Sequence, residues 1–415
     1  MGWIFETMSA AVSRAEYGLS DPVCEDGNLG IVGMKQMQGG RIDASDLQRI
    51  SVEADEIEDL LLRNGDLLFN RTNSLDLVGK AAIYESDTPA TFASYLVRLH
   101  LKKEIIDPWF LFYWLCSNTA RIACKRIATR AVGQANINPS EFRRVFPLPL
   151  PASLGEQERI TRVLRTWDRA IDVCVALIES SLRQKKALAQ QLLTGKRRFP
   201  GFSDDWKHTH LGDVCERVTR KNEVEINNVL TISAQHGLVS QQDYFNKPVA
   251  SSDLSKYAHL KRGDFAYNKS YSKGFPMGAI KELSLYDEGV VSSLYICFRR
   301  KRHGLGEQAF LRHFFESGML NREIYAFAQE GARNHGLLNI AVGDFFNCRL
   351  NLPSRDEQLA IAAALDLADQ CVEGHKKQLE LLEKEKRALM QQLLTGKRRV
   401  KLPPEHTTPA KEPAS

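Results

Sequence analysis

Gln190-Gln191-Leu192-Leu193-Thr194-Gly195-Lys196-Arg197-Arg198 occurs a second time, without a single change, at Gln391–Arg399. The two copies lie about 201 residues apart, which is close to half of the 415-residue chain. Self-similarity at such a spacing is the sequence signature of an internal duplication. We therefore predict that the chain consists of two halves built on one plan.

Each copy ends a long heptad pattern, in which core-type positions alternate in steps of four and three residues. A Glu-Gln pair stands at the start of each pattern, and a glycine at its end is typical of a helix C-terminal cap. Each helix should contain about forty residues and measure about 60 Å. We predict that the helices pair as an antiparallel coiled coil, although each could instead pack only on its own domain.

The predicted seam contains mainly apolar residues, with one lysine at the same place in each helix. In the first helix the seam is Ile160, Leu164, Trp167, Ile171, Ile178, Lys185 and Leu188, and in the second it is Ile361, Leu365, Val372, Leu379, Leu382, Lys386 and Leu389.

The rest of the chain predicts an α+β fold, with two pseudo-repeated mixed α/β domains separated by the two antiparallel helices. Trp109–Cys116 is predicted to be an apolar helix that continues toward Arg130. The tail is rich in proline and polar residues, which is typical of disorder. The predicted boundaries are 1–155 for the first domain, 156–195 for the first helix, 196–205 for a basic linker, 206–355 for the second domain, 356–396 for the second helix and 397–415 for a disordered tail.

Composition argues against several classes of protein. No apolar run reaches membrane-spanning length, and the eight cysteines include no Cys-x-x-Cys pair. The cysteine pattern argues against a zinc site and for reduced thiols in a cytoplasm. The sequence also lacks an Asn-Pro-Pro-aromatic element, a phosphate-binding P-loop and a His-Glu-x-x-His pair. We therefore predict no catalytic residue and no metal site in this chain.

Two further elements occur in both halves. Leu62–Asn70 and Leu260–Asn268 share Leu-x-x-Gly-Asp followed by a strand and an asparagine, and Arg130–Ile137 and Arg333–Ile340 share Arg-x-x-Gly-x-x-Asn-Ile. Together with the Glu-Gln helix starts and the duplicated helix ends, this order of parts resembles the specificity subunit of type I restriction-modification systems. The resemblance covers the chain up to Arg399.

One departure from this pattern lies at the start of the chain. Trp206 is followed at the usual distance by Gly212-Asp213, whereas Trp3 is followed by Ser9-Ala10. The first strand of the first domain is therefore expected to be altered or to start differently.

The resemblance implies a function. Each domain would be a target recognition domain that reads one half of a bipartite, asymmetric double-stranded DNA target. The coiled coil would set the spacer and dock two adenine-methyltransferase subunits, and motor-endonuclease subunits would join the complex. S-adenosylmethionine, ATP and Mg²⁺ would lie on the partner subunits, and this chain would hold no cofactor. The complex would act in the cytoplasm, away from any membrane.

DNA affinity should come from cations on phosphates, and specificity from polar side chains on base edges. Arg71 and Lys269 are predicted to contact the DNA backbone, although either could be an edge-strand cation that faces water. Asn136 recurs as Asn339 and is therefore expected to hold the fold, whereas Gln134, in a predicted loop, has no counterpart. The candidate DNA-binding residues are Arg71, Asn73, Arg126, Arg130 and Gln134 in the first domain, and Lys269, Ser270, Tyr271, Lys273, Arg333, Asn334 and His335 in the second.

Two other functions fit parts of this pattern. A stand-alone two-module DNA-binding protein would need no methyltransferase partner. A coiled-coil scaffold, whose end domains bind proteins or glycans, would show no salt-dependent DNA binding.

Overall fold

The computed structural model describes residues 3–53, 57–151, 153–233, 237–245, 253–271, 274–327, 329–330 and 338–400. The chain divides into two compact units, of which the first comprises Met1–Val175 with Lys377–Ser415 and the second comprises Ala176–Lys376. Each unit therefore contains one globular domain and one part of each long helix. The predicted tail divides as well: residues 397–400 are ordered in the first unit, and 401–415 lie outside the described residues.

The first unit is built on a mainly antiparallel six-stranded sheet, whose order is β2-β11-β7-β9-β5-β4. Its strands are β1 Trp3–Thr7, β2 Val12–Tyr17, β3 Leu29–Val32, β4 Met37–Gln38, β5 Arg41–Ile42, β6 Gln48–Ile50, β7 Leu67–Asn70, β8 Thr72–Asn73, β9 Ala81–Ile83, β10 Ala90–Phe92, β11 Leu96–Leu101, β12 Thr129–Ala131, β13 Gln134–Asn136 and β14 Pro147–Pro151. Its α-helices are α1 Pro108–Cys116, α2 Asn118–Ile127, α3 Pro139–Val145 and the start of α4 Leu154–Leu192, with 3₁₀ turns at Met8–Ala10 and Glu58–Leu60.

The second unit has a four-stranded antiparallel sheet, whose order is β16-β23-β20-β21. Its strands are β15 Lys207–His210, β16 Cys215–Arg217, β17 Leu230–Ser233, β18 Gly237–Ser240, β19 Ala258–Lys261, β20 Phe265–Asn268, β21 Ala279–Glu282, β22 Glu288–Val291, β23 Ile296–Arg300, β24 Gln329–Glu330, β25 Leu338–Asn339 and β26 Arg349–Leu352. Its helices are α5 Leu211–Val214, α6 Gln241–Phe245, α7 Gln308–Glu316, α8 Asn321–Phe327, α9 Val342–Phe346 and the start of α10 Arg355–Leu393.

The Gly-Asp turns form as their sequence predicts, and each leads into a buried strand. Gly65 and Gly263 adopt positive φ angles of 93° and 89°, which glycine tolerates best. Asp66 then accepts the backbone N–H of Arg63, three residues earlier, and Asp264 accepts that of Lys261, both at 2.9 Å. Because these carboxylates close their own turns, the duplicated Gly-Asp belongs to the frame of each domain.

The first strand is present, contrary to the expectation that the lost Gly-Asp alters it. β1 pairs antiparallel with β14, as β15 pairs with β26 in the second unit. Asp213 accepts the N–H of His210 at 3.0 Å and so caps the short helix α5. The 3₁₀ turn at Met8–Ala10 has no such side-chain cap, but the N–H of Met8 donates to the carbonyl of Phe146. The N–H of Leu211 donates to the carbonyl of Cys348 in the same way, so this backbone hydrogen bond is common to both units and the first unit lacks only the carboxylate cap.

The predicted helix after Trp109 is broken in two, which corrects the expectation of one continuous helix. α1 ends at Cys116, and the Ser117 side chain accepts the N–H of Ala120 at 3.2 Å, so that α2 begins there. Serine favours N-cap positions because its hydroxyl competes with helix hydrogen bonding. The break lets the apolar α1 lie in the core while α2 carries the basic residues.

Each unit contains an antiparallel pair of long-helix segments. In the first unit, Ile160 and Leu164 near the start of α4 share a core with Met390 and Leu393 near the end of α10. In the second, Leu192 near the end of α4 shares a core with Ile361 and Leu365 near the start of α10. The predicted ranges 156–195 and 356–396 extend into the turn after each helix. The antiparallel pairing of the two helices follows from both cores.

Candidate nucleic-acid interface

The duplicated Arg at the end of each long helix holds the duplicated Glu at the start of the other. Arg198 donates two hydrogen bonds to Glu357, both at 2.8 Å, and Arg399 donates two to Glu156, at 2.5 and 2.7 Å. Glu357 is fully buried and Glu156 nearly so. An arginine that donates two hydrogen bonds stabilises a buried carboxylate better than a single hydrogen bond does. Residues predicted as a linker and a tail are thus part of the frame.

The Gln that follows each Glu fixes the loop before an apolar helix. Gln157 accepts the N–H of Asp107 and donates to the carbonyl of Ile105, both at 2.9 Å. Gln358 accepts the N–H of Glu307 at 2.7 Å and donates to the carbonyl of Leu305 at 2.9 Å. Both amides are almost fully buried. They therefore attach α1 and α7 to the long helices in the same way.

The predicted seam residues are all buried or half-buried, and the two seam lysines have carboxylate partners. Lys386 pairs with Asp168, and Lys185 pairs with Asp369 at the equivalent place. Tyr113 donates to Asp168 as well, and burial followed by this contact raises the pKa of Tyr113 well above its usual value. The apolar seam residues that are buried or half-buried are Ile160, Leu164, Trp167, Ile171, Ile178 and Leu188 in α4, and Ile361, Leu365, Val372, Leu379, Leu382 and Leu389 in α10.

The second unit has a histidine where the first has Tyr113. His313 lies 2.8 Å from Asp366 and 3.8 Å from Asp369, which gives three possible metal-ligand atoms within 4.8 Å of one another. Arg312 and Lys185 already pair with these two carboxylates. The cluster is therefore built as a salt-bridge network, and the expectation that this chain has no metal site stays a prediction.

Most of the basic residues after α1 form hydrogen bonds or ion pairs inside the first domain, so they do not form one continuous cationic face. Arg121 donates to the carbonyl of Val78 at 2.8 Å, and Lys125 pairs with Asp76 at 2.6 Å. Arg143 donates to the carbonyl of Val12, and Arg144 pairs with Glu141.

Among the predicted DNA contacts of the first domain, Arg71, Arg126 and Arg130 form no ion pair within the described ranges. Arg71 stacks on the ring of Tyr17, 5.0 Å from its centroid, and its Nε is buried without a hydrogen-bond partner among the described atoms. These three arginines are therefore available to phosphates.

Gln134 lies in a strand, which corrects its predicted position in a loop. β12 and β13 form a short antiparallel ribbon closed by Gly133 at φ 73°, and β13 continues the pairing to β8. The ribbon and Arg71 border an open cleft of about 380 Å³, whose wall includes Tyr17.

Some polar side chains around this cleft form hydrogen bonds within the domain, whereas Gln134 does not. The Asn136 amide oxygen accepts from Thr72 at 3.3 Å, and the Asn73 amide donates to the Met34 sulfur. The exposed Gln134 amide makes no hydrogen bond to the rest of the described chain. No sequence signal pointed to Tyr17, because its role depends on pairing with a strand far along the chain.

Candidates in the second domain are only partly described. Lys269 is half-buried, Ser270 and Tyr271 are exposed, and the N–H of Ser270 donates to Asn268. The same bond joins Thr72 to Asn70 in the first domain, so both strands end in one kind of turn. Lys273, Arg333, Asn334 and His335 lie outside the described residues.

Comparisons with known proteins agree with these shared parts. Residues 16–179 match the family model described as type I restriction modification DNA specificity domain. The MjaX protein of Methanocaldococcus jannaschii, described as a "putative type I restriction enzyme specificity subunit", is 26% identical over 383 residues. That alignment covers 89% of this chain and 87% of the relative.

Over most of its length, this chain is similar to type I restriction enzyme specificity subunits. Its fold is also similar to that of solved structures from type I restriction-modification systems. The S subunit of a type I system from M. genitalium aligns with a TM-score of 0.53 at 13% identity, over 97% of both chains. A structure from a study of type I complex assembly and conformational transition aligns with a TM-score of 0.56 at 16% identity, over 96% of this chain and 98% of the other.

Across the described part of the chain, no helix combines the length and the apolar character that a membrane span requires.

Proposed function

We propose that this chain is the sequence-specific DNA-recognition subunit of a type I restriction-modification complex, with each domain reading one half of a bipartite, asymmetric target. The proposal rests on the observation that the duplicated residues form contacts within the frame of each unit. The shared Glu, Gln, Arg and Lys side chains bond to the frame. In contrast, three polar residues that line the cleft have apolar residues at the equivalent positions of the second half: Thr129, Gln134 and Asn138 correspond to Ala332, Leu337 and Ala341. A frame that presents two different surfaces suits a split target.

The unpaired cations are the proposed phosphate contacts. Arg71, Arg126 and Arg130 in the first domain and Lys269 in the second form no ion pair with described residues, so binding DNA would not first require breaking one. Ser270 and Tyr271 are exposed beside Lys269 and are proposed to contact the same strand of DNA. Lys273, Arg333, Asn334 and His335 remain sequence-based proposals.

Catalysis is proposed to reside in partner subunits. Two adenine-methyltransferase subunits would dock on the long helices, and motor-endonuclease subunits would complete the complex. S-adenosylmethionine, ATP and Mg²⁺ would be bound by these partners. Several exposed apolar side chains on the helices would suit such docking: Val173, Val175 and Leu381 in the first unit, and Leu177, Leu182, Leu359 and Leu367 in the second. A DNA-reading role also favours a cytoplasmic location.

The salt dependence of DNA binding tests the proposal. In the complex reconstituted with its methyltransferase, Arg71→Ala should weaken binding to all sequences and reduce the slope of log K against log salt by about one. Arg144→Ala is the matched control, because Arg144 already pairs with Glu141. Its slope should not change.

Three outcomes would contradict the proposal. Equal slopes for the two variants would reject Arg71 as a phosphate contact. A complex without salt-dependent DNA binding would favour a coiled-coil scaffold. Specific DNA binding by the chain alone, with no methyltransferase co-purifying, would favour a stand-alone DNA-binding protein.

A further inference from the structure

One face of the β12–β13 ribbon is chemically suited to a particular base pair. Thr129 is paired with Asn136 in the register, and Ala131 is paired with Gln134. Side chains alternate along a strand, so these four residues share one face. All four are exposed, and all four line the cleft that also contains Arg71 and Tyr17. A two-stranded ribbon fits the major groove of B-form DNA.

Within this face, Gln134 and Ala131 are the free positions. The Gln134 amide offers a donor and an acceptor side by side, and none of the described residues occupies either group. Asn136, in contrast, is held by Thr72. A glutamine amide matches N6 and N7 of adenine, and a methyl group contacts the C5-methyl of thymine. Directly opposed residues in a ribbon have Cβ atoms about 5 Å apart, so Ala131 and Gln134 would face one small region of the groove.

We infer that this ribbon reads an A·T base pair in the half-site of the first domain, with Gln134 on adenine N6 and N7 and Ala131 against the thymine methyl group. The inference rests on the proposed DNA-recognition function. Arg71, stacked on Tyr17 at the other side of the cleft, contacts a neighbouring phosphate. The minor groove would not serve this pair of groups, because A·T presents only acceptors there.

Adenine-methylation mapping with variants of Gln134 tests the inference. Cells carrying the chain and its methyltransferase would give the wild-type target. Gln134→Ala should relax one A·T position in one half-site about ten- to a hundredfold and leave the other half-site unchanged. Gln134→Glu should move the preference at that position toward cytosine, since a carboxylate accepts from cytosine N4. Gln378→Ala, an exposed glutamine on α10 in the same unit, is the control and should change nothing.

Base analogues in a binding assay identify the groove and the atoms. Replacing the adenine with 7-deazaadenine should weaken wild-type binding and leave Gln134→Ala unaffected. Replacing the thymine with deoxyuridine should weaken the wild type and leave Ala131→Gly unaffected. A loss with 3-deazaadenine instead would indicate minor-groove reading and overturn the inference.

Failure of the inference and of the function are distinguishable. A split target that Gln134→Ala and Gln134→Glu leave unchanged at every position overturns the inference while the proposed function stands. A wild-type complex that recognises no split target overturns both.

Discussion

At the scale of single residues, identity between the two halves separates frame residues from candidate DNA readers. Glu156 and Glu357 each form an ion pair with the equivalent arginine, one pair in each unit. The sequence marked these residues by repetition, but it could not reveal their partners, which lie far away along the chain. Tyr17 beneath Arg71 was likewise beyond prediction, because one tyrosine in a strand carries no pattern.

Gln157 gives a stability prediction. Gln157→Ala should leave the N–H of Asp107 and the carbonyl of Ile105 buried without partners, at a cost of about 1–3 kcal/mol in the free energy of unfolding. Urea denaturation would measure the difference. Gln378→Ala, on an exposed face of the same unit, should leave the midpoint within error. Equal midpoints for the two variants would show that Gln157 does not hold the loop.

His313 gives a pH prediction for the second unit. Burial lowers the pKa of the His313 imidazole from its ordinary value of 6.5, and the hydrogen bond to Asp366 offsets this only in part, while Arg312 reinforces it. The unfolded chain therefore binds more protons than the folded chain as the pH falls through about 6.5. The free energy of unfolding of this unit should decrease between about pH 7.5 and 5.5.

Urea midpoints across that pH range would check the sign. The decrease should be smaller in His313→Gln than in the wild type. His303→Gln, which changes an exposed histidine of the same unit, should keep the full decrease. If His313→Gln also keeps the full decrease in the free energy of unfolding, a group other than His313 causes the pH dependence.

At the scale of elements, sequence periodicity predicted the long helices but not the short strands. Heptad spacing located both long helices, because about eleven turns accumulate a clear pattern. The three-residue strands β12 and β13 gave no alternation to recognise and were expected to be a loop. The break at Ser117 was hidden for another reason: a single serine cap interrupts helical spacing without changing the composition around it.

The long helices give a prediction about the DNA spacer. Inserting seven residues after both Val175 and Lys376 keeps the contacts within each unit, including Lys386–Asp168 and Lys185–Asp369. Seven helical residues add about 10 Å, so the gap between half-sites should grow by about three base pairs. The same insertion in α4 alone should destabilise the protein, because α10 would no longer match it. Methylation mapping of the doubly extended protein measures the gap, and an unchanged gap would reject the helices as a ruler.

At the scale of the whole molecule, duplication made the fold predictable from sequence. The repeated helix ends, Gly-Asp turns and Glu-Gln starts are frame residues, and their spacing is visible in one chain. The bases that each domain reads were not predictable, since they depend on side chains that differ between the halves.

Adenine-methylation mapping of DNA, from cells in which this chain is expressed and bound to its methyltransferase, tests the central claim most directly. The account predicts one new target made of two different short half-sites with a fixed gap. A continuous or palindromic target, or no new methylation, would contradict it.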